Sequence, residues 1–193
     1  MSSTTSSTLL PPRLIAKKAG CTNALECSVH TLPKALMREF RHVFGDSYLH
    51  QDDDNTDAMK EDDNRDLLAI PTNQRARRDL VAVGDEVEAE KDRLLNVFLE
   101  FGEDLASKLR DRGYWADFID PCSGLPMLST SRNKVYSEVD GMECLLNYKS
   151  YNAGFCKILT HPVWGSAVYP ATMFAHAPAS VVVEVINSYP ASS

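Results

Sequence analysis

The sequence predicts an α+β protein, in which helices pack against an antiparallel sheet. Three observations lead to this fold class. One long segment has the apolar periodicity of a helix, and several short segments are rich in strand-forming residues. The chain has 193 residues and no internal repeat, which fits a single domain.

The composition is that of an ordinary globular protein, with 44% apolar and 24% charged residues. No apolar run approaches the roughly 20 residues of a membrane span, so we expect no membrane partner. The net charge is −7, and residues 51–66, with eight acidic and two basic side chains, contribute −6 of it. The only dense basic cluster is short (Arg75, Arg77 and Arg78), so we expect no nucleic-acid partner.

Composition also predicts the domain organisation. Residues 1–25 are rich in Ser and Thr and predict a disordered tail. A single domain follows over residues 26–189, and residues 190–193 form a second short tail. Within the domain, the acidic stretch 51–66 has almost no apolar side chains, so it predicts a mobile insertion.

Two segments predict helices. Residues 33–44 carry apolar side chains at spacings of three and four, and Gly45 ends that helix. Residues 85–112 predict the longest helix, with acids at its start, bases at its end and Gly113 as its left-handed cap. Its predicted buried face consists of Leu94, Phe98, Phe101, Leu105 and Leu109.

Strands are predicted at residues 67–70 and 79–83, which would pair as a hairpin, and at 114–120, 155–159 and 163–175. Residues 127–152 show no dominant period and predict irregular chain over the surface. Residues 180–187 fit two alternatives, because the spacing of the valines suits a helix while three consecutive valines favour a strand.

The sequence bears on three kinds of catalytic or metal site. Cys156 and His161 are the nearest pair for a Cys/His hydrolase, but five residues along a strand put them on opposite faces. No Gly-rich phosphate cradle is present, so a nucleotide hydrolase or Rossmann oxidoreductase is not predicted. Cys21, Cys27, His30 and His42 could form a zinc site, but cysteines without a metal-binding role are the favoured interpretation.

The five cysteines are odd in number and without tight spacing, which predicts free thiols. Lys157 follows Cys156, and its ammonium favours a thiolate if it lies near the sulfur. A thiolate binds soft or borderline metals, cobalt in a corrin ring among them. Spacing alone favours a buried, inert thiol at Cys156.

Residues 114–121, Tyr-Trp-Ala-Asp-Phe-Ile-Asp-Pro, mix aromatic and carboxylate groups on both faces of a predicted strand. Trp115 and Phe118 either pack in the core or belong to a binding surface. Together with Arg112-Gly113, Ser123-Gly124, residues 156–161 and residues 163–165, this block resembles the cobalamin-trafficking D protein family, the methylmalonic aciduria and homocystinuria type D proteins. The likeness runs from about residue 26 to residue 177, interrupted by the acidic insertion.

The resemblance implies a fold like that of the flavin nitroreductases, without flavin, and a non-enzymatic adaptor function. Members of the family join a cobalamin-processing C protein, which dealkylates or decyanates the vitamin. They help to route its product to methionine synthase in the cytosol and to methylmalonyl-CoA mutase in mitochondria.

The family also carries a Gly-Cys-Cys-Lys stretch in which a cysteine can ligate the cobalt of cobalamin held by the C protein. The corresponding residues are Gly154-Phe155-Cys156-Lys157, so Phe155 replaces the first cysteine and Cys156 is the predicted cobalt ligand. A move of one residue along a strand reverses the direction of the side chain. No cofactor is expected on the chain alone, and cobalamin would be shared with the partner. The predicted partner-binding residues are Tyr114, Trp115, Asp117, Phe118, Asp120, Lys157, His161 and Trp164.

A cytoplasmic location is expected, because only about 25 residues precede the recognisable part, with the mitochondrion as the alternative. A rival function is that of a flavin-dependent, nitroreductase-like oxidoreductase, for which Arg75, Arg77 and Arg78 would be the only phosphate-binding cluster. A third hypothesis is a structural interaction protein without any link to cobalamin, in which the aromatic block packs the core.

Overall fold

The structure is a computed structural model that describes residues 6–16, 24–49, 65–130 and 134–192. These residues form seven strands and four helices. The order along the chain is β1 (Thr8–Ala16), β2 (Ala24–Thr31), α1 (Lys34–Phe44), β3 (Asp66–Arg75), α2 (Asp85–Arg110), β4 (Trp115–Phe118), α3 (Glu138–Leu146), β5 (Lys149–Ala153), β6 (Cys156–Thr160), β7 (Val168–Ala177) and α4 (Ala179–Asn187).

Five of the strands make one antiparallel sheet in the order β1-β2-β3-β7-β4, and β5 and β6 make a separate two-stranded hairpin. The predicted α+β class with an antiparallel sheet is therefore confirmed. The likeness to the flavin nitroreductase fold stays a prediction.

Helices cover both faces of the sheet. Helices α2 and α4 pack on one face and enclose the larger apolar core, which includes Leu25, Cys27 and Val29 of β2. Helices α1 and α3 pack on the other face around Phe174 and Trp115. Because side chains alternate along a strand, the polar residues of β2 between those three core residues point to the α1 and α3 face.

The predicted long helix is α2, and its five predicted core side chains are all buried. Gly113 follows it with φ of +82°, a left-handed conformation that glycine adopts without steric cost. Gly102 lets α2 approach β4, since a Cβ there would lie 3.0 Å from the ring of Phe118. The helix predicted at 33–44 is α1, and it ends at Gly45 with φ of +58°.

The predicted disordered tail is wrong for residues 8–16, which form the edge strand β1 against β2. The C-terminal residues close that edge, because the amide of Ala16 donates to Pro190 O at 3.0 Å and the amide of Ser192 donates to Leu14 O at 3.2 Å. The Ser and Thr content suggests a tail, but the segment pairs as a strand, and its prolines are tolerated because a missing N–H costs no ladder bond on an edge strand. Residues 1–5 and 17–23 lie outside the described residues.

Most of the predicted acidic insertion, residues 51–64, also lies outside the described residues. Asp66, its last predicted residue, is already the first residue of β3. The predicted strand at 79–83 is wrong, since these residues form turns that lead into α2. The predicted hairpin does not form because β3 pairs instead with β2 and β7.

The prediction of irregular chain over residues 127–152 is also wrong, since this range contains α3 and most of β5. Helix α3 has only 9 residues, too few to display a clear period, and the Ser137 side chain caps it by accepting from the amide of Asp140. The strand predicted at 163–175 begins only at Val168. Residues 179–187 form a helix, α4, in which Val182, Val185 and Ile186 are buried at helical spacing.

Among the described residues, no helix is both long enough and apolar enough to cross a bilayer.

Candidate functional site

The candidate site is the tip of the hairpin formed by β5 and β6. The two strands pair from Lys149 with Thr160 to Ala153 with Cys156, and Gly154 and Phe155 make the turn between them. Gly154 has φ of +62°, which a two-residue hairpin turn requires and glycine supplies. We call residues 153–156 the hairpin tip.

Two side chains of the hairpin tip are open to solvent in a way that ordinary packing does not explain. Phe155 is the most exposed large apolar residue described, at 109% of its reference area. Cys156 beside it is an exposed free thiol, which corrects the expectation from spacing of a buried, inert one. The tip therefore presents an aromatic ring and a sulfur atom next to each other.

The outer face of the hairpin continues this apolar surface. Cys156 and Ile158 lie on the face of β6 opposite Lys157, because side chains alternate along a strand. Tyr151 pairs with Ile158 across the hairpin and is 46% exposed. A partner that contacts the tip would therefore find Tyr151 and Ile158 on the same side.

Lys157 anchors the hairpin to helix α3 instead of activating the thiol. Its ammonium lies 2.7 Å from Asp140 Oδ1 and 2.5 Å from Glu143 Oε2, which raises the pKa of Lys157 and lowers those of the two carboxyls. Ser150, on the same hairpin face, donates to Glu143 as well. The predicted stabilisation of a Cys156 thiolate by Lys157 is therefore wrong, since the charge is directed to α3.

A polar cluster fixes the base of the hairpin to the main sheet. The Nδ1 atom of His161 accepts from the amides of Val163 and Trp164, each at 3.2 Å, so its Nε2 carries the proton and donates to Glu26 Oε1 at 3.2 Å. The Tyr148 hydroxyl donates to the same carboxylate oxygen at 2.9 Å. The imidazole also stacks on the Trp164 ring, with centroids 3.9 Å apart.

This cluster corrects one of the predicted partner-binding residues. The side chain of His161 is only 3% exposed, so it holds the hairpin in place and is not presented to a partner. Trp164, which stacks on it, is half-buried, and its partner-binding role stays a prediction. His161 and Cys156 stand at opposite ends of β6, about 16 Å apart at the rise of an extended strand, so they do not form a hydrolase pair.

The aromatic block at residues 114–121 lies mainly in the interior. Trp115 and Phe118 are buried on opposite faces of β4, with Trp115 against Phe40 and Phe44 and Phe118 against Phe98. The prediction that they form a docking surface is therefore wrong, and the alternative of core packing describes them. Tyr114 is half-buried, with the guanidinium of Arg65 over its ring at 5.6 Å.

The two carboxylates of the block bind backbone amides. Asp117 is fully buried, and its oxygens accept from the amides of Phe118, Leu128 and Ser129 at 2.7, 2.9 and 2.7 Å. Asp120 is half-buried and accepts from the Cys122 amide and the Ser123 hydroxyl. Asp117 ties the following loop over the edge of β4, and Asp120 closes a turn, so the partner-binding role predicted for Asp117 is wrong.

The proposed zinc ligands do not converge. Cys27 faces α2 and α4, whereas His30, three residues further along β2, faces the opposite side of the sheet. Burial raises the pKa of the Cys27 thiol to about 12 and lowers that of His30 to about 4. His42 is exposed on α1, and Cys21 lies outside the described residues. No set of three metal-binding side chains occurs within the described ranges.

The exposed ring of Phe155 is a feature of the site that the sequence patterns do not predict. The irregular chain predicted for residues 127–152 leaves no place for β5, and without β5 there is no hairpin to expose Phe155. The available signal was Gly154-Phe155 between two runs that alternate in polarity, which is typical of a hairpin turn.

Comparison with known proteins adds a sequence relationship to this geometry. The family model described as "Methylmalonic aciduria and homocystinuria type D protein" matches residues 14–186. The rat protein named "Cobalamin trafficking protein CblD" is 31% identical over 155 residues, which cover 80% of this chain and 47% of the rat protein. The human and chicken proteins of the same name are 30% and 28% identical over 153 residues. The chain thus spans about half the length of these relatives.

Proposed function

The chain belongs to the methylmalonic aciduria and homocystinuria type D protein family, and we propose that it is a non-enzymatic adaptor in cobalamin metabolism. The single observation that carries this proposal is the hairpin tip, where Phe155 and Cys156 are exposed side by side. An adaptor needs an exposed contact surface that is not buried in its own core, and the hairpin tip is such a surface.

The way in which the hairpin is held supports a role in docking. Its inner face is tied to α3 through Lys157, and its base is tied to β2 through the bond of His161 to Glu26. A contact element fixed in advance loses less conformational entropy on binding than a free loop does. The buried bond of His161 to Glu26 does most to hold the hairpin, so the tip would meet a partner already oriented.

The proposed partner is a cobalamin-loaded processing protein of the C type, with methionine synthase as a further candidate downstream. In such a complex Phe155 would supply contact area, and the Cys156 thiolate would bind the cobalt of the partner's cobalamin. Thiolates are soft ligands that suit such a metal. Cobalamin is cargo in this proposal, shared with the partner, and the chain alone holds no cofactor. A cytoplasmic location, with the mitochondrion as the alternative, stays a prediction.

The docking proposal is tested by mixing the chain with a C-type partner and cobalamin under reducing conditions and measuring co-elution and affinity. Burying a phenylalanine side chain is worth about 2 kcal/mol, so Phe155→Ala should weaken the complex by about thirty-fold. Val83 is 97% exposed on the loop before α2, so Val83→Ala is the matched control and should leave the affinity unchanged. Absence of a complex, or equal effects of the two substitutions, would contradict docking through the hairpin tip.

Cobalt ligation has its own readout, which does not depend on the strength of the complex. The absorption spectrum of cobalamin in the complex should change with the native chain and with Cys122→Ser, a control at another exposed thiol. It should not change with Cys156→Ser. Identical spectra for the native chain and Cys156→Ser would remove the cobalt-ligand role while leaving the docking role intact.

A titration of the purified chain with flavin distinguishes the adaptor from the alternative function, a flavin-dependent oxidoreductase. The adaptor proposal expects that the purified chain neither binds riboflavin, a flavin without a phosphate group, nor turns over a substrate. Tight flavin binding together with turnover of a substrate by the chain alone would favour the oxidoreductase.

A further inference from the structure

We propose that the protein has a second binding site, independent of the hairpin tip, which takes the phosphate group of a small molecule. The site is a cleft of about 590 Å³ between the end of β3 and the first turns of α2. We call it the arginine cleft, and its lining consists of Arg77, Arg78, Glu86, Ala89, Glu90 and Arg93.

An ion pair with a buried carboxylate lines the arginine cleft. Glu90 is 6% exposed, and both of its oxygens accept from Arg93, with Nε at 2.8 Å from Oε2 and Nη2 at 2.7 Å from Oε1. The amide of Arg77 donates to Oε1 as well, at 2.8 Å. The hydrogen bonds from Arg93 lower the pKa of Glu90 to about 2, so this carboxylate stays ionised and keeps Arg93 in place.

The same contact fixes the backbone of Arg77 while leaving its side chain available. Arg77 is exposed, and no carboxylate within the described ranges forms an ion pair with its guanidinium. Arg78 pairs with Glu86 at 2.7 Å, but the two side chains are 52% and 73% exposed. Surface pairs of this kind contribute little, so Arg78 can turn from Glu86 to a ligand at small cost.

The charge of the arginine cleft is opposite to that of the chain. Three guanidinium groups face two carboxylates, which leaves one net positive charge in a protein whose net charge is −7. A guanidinium offers paired N–H donors in a planar fork that matches two oxygens of a phosphate group. Arg77 and Arg78, adjacent on a backbone anchored to Glu90, can together bind one phosphate.

The arginine cleft has room beside the phosphate for the rest of a small molecule. It is open to solvent, with a volume of about 590 Å³. The proposed ligand is therefore a phosphorylated small molecule, held by its phosphate.

The test uses the whole chain and isothermal titration with two probes, inorganic phosphate and adenosine 5′-monophosphate, with sodium chloride at matched ionic strength as the blank. Both probes should bind saturably, with the nucleotide tighter because it fills more of the cleft. Loss of a charge-assisted contact should weaken each probe at least about tenfold in the double variant Arg77→Gln/Arg78→Gln. Neither arginine is buried, so this variant should fold, and its unfolding curve checks this.

Arg112 supplies the matched control, since it forms a comparable exposed pair with Glu184 on another part of the surface. Arg112→Gln should leave both affinities unchanged. Heats no different from those of sodium chloride, or equal losses in Arg112→Gln and the double variant, would overturn the proposal. An affinity for inorganic phosphate equal to that for the nucleotide would overturn the assignment to a phosphorylated small molecule. None of these results depends on the docking of a cobalamin-loaded partner.

Discussion

The buried carboxylate of Asp117 gives the sharpest test of whether residues 114–121 support the fold or bind a partner. Its two oxygens accept hydrogen bonds of 2.9 Å or less from three backbone amides, two of which belong to the loop that covers β4. In Asp117→Asn, one oxygen becomes an NH2 group. If the remaining oxygen keeps the amides of Phe118 and Leu128, that NH2 faces the amide of Ser129, donor against donor.

The expected cost follows from those contacts. A hydrogen bond to a charged group contributes about 1.5–3 kcal/mol, and a buried donor left without an acceptor costs about 1–3 kcal/mol. Asp117→Asn should therefore lower the free energy of unfolding by about 2–4 kcal/mol, a large part of the roughly 5–15 kcal/mol typical of a domain. Asp120→Asn is the control, because that carboxylate closes a half-buried turn, and it should cost about 1 kcal/mol or less.

Urea unfolding of the three proteins, followed by circular dichroism, measures these differences, with equal m-values as the check on two-state behaviour. At a temperature where Asp117→Asn is still folded, it should bind the partner as the native chain does. A loss of stability below about 1 kcal/mol, combined with a loss of partner binding, would refute the structural role and restore Asp117 as a contact residue.

Three further predictions concern the interior. Burial raises the pKa of Glu138 to about 7, so the stability that its protonated form contributes is present at pH 4.5 and is lost as the pH rises through 7. Relative to the native chain, Glu138→Gln should therefore gain about 1–3 kcal/mol in the free energy of unfolding between pH 5 and pH 8. A difference between the two proteins in urea unfolding that is the same at both pH values would contradict this. Gly141→Ala should destabilise the protein by about 1–3 kcal/mol, because the new Cβ would collide with the Tyr136 hydroxyl, and a melting temperature equal to that of the native chain would show that the contact is absent. A thiol reagent should label Cys156 in the folded protein but should label Cys27 only after unfolding, because Cys27 is buried and its pKa is raised. Mass spectrometry of the peptides measures both, and rapid labelling of Cys27 in the folded protein would contradict its position in the core.

The elements that were predicted correctly are those whose signal is local. The spacing of the apolar residues from Leu94 to Leu109 predicts helix α2, because one face of a long helix repeats every three to four residues. The aromatic residues of β4 and the proline that follows them predict that strand. The resemblance to the family depends on a contiguous block of residues, whose order is the same in any environment.

The elements that were missed depend on pairing between distant segments. Strand β1 is stabilised by hydrogen bonds to β2 and to residues 190–192, and the sequence of residues 8–16 does not indicate which segments it will pair with. Strand β5 is defined by β6, and the short helix α3 by its packing on β7. In α4, burial against α2 favoured the helical alternative over the strand preference of the valines.

The candidate site shows the same division. The adjacency of Cys156 and Lys157 and the unusual chemistry of the aromatic block follow from the order of the residues alone. That Lys157 binds α3, that Trp115 and Asp117 lie inside, and that Phe155 projects into solvent depends on the folded chain. A side chain becomes buried when segments far apart in the sequence come together around it, and the order of the residues does not state which segments will meet.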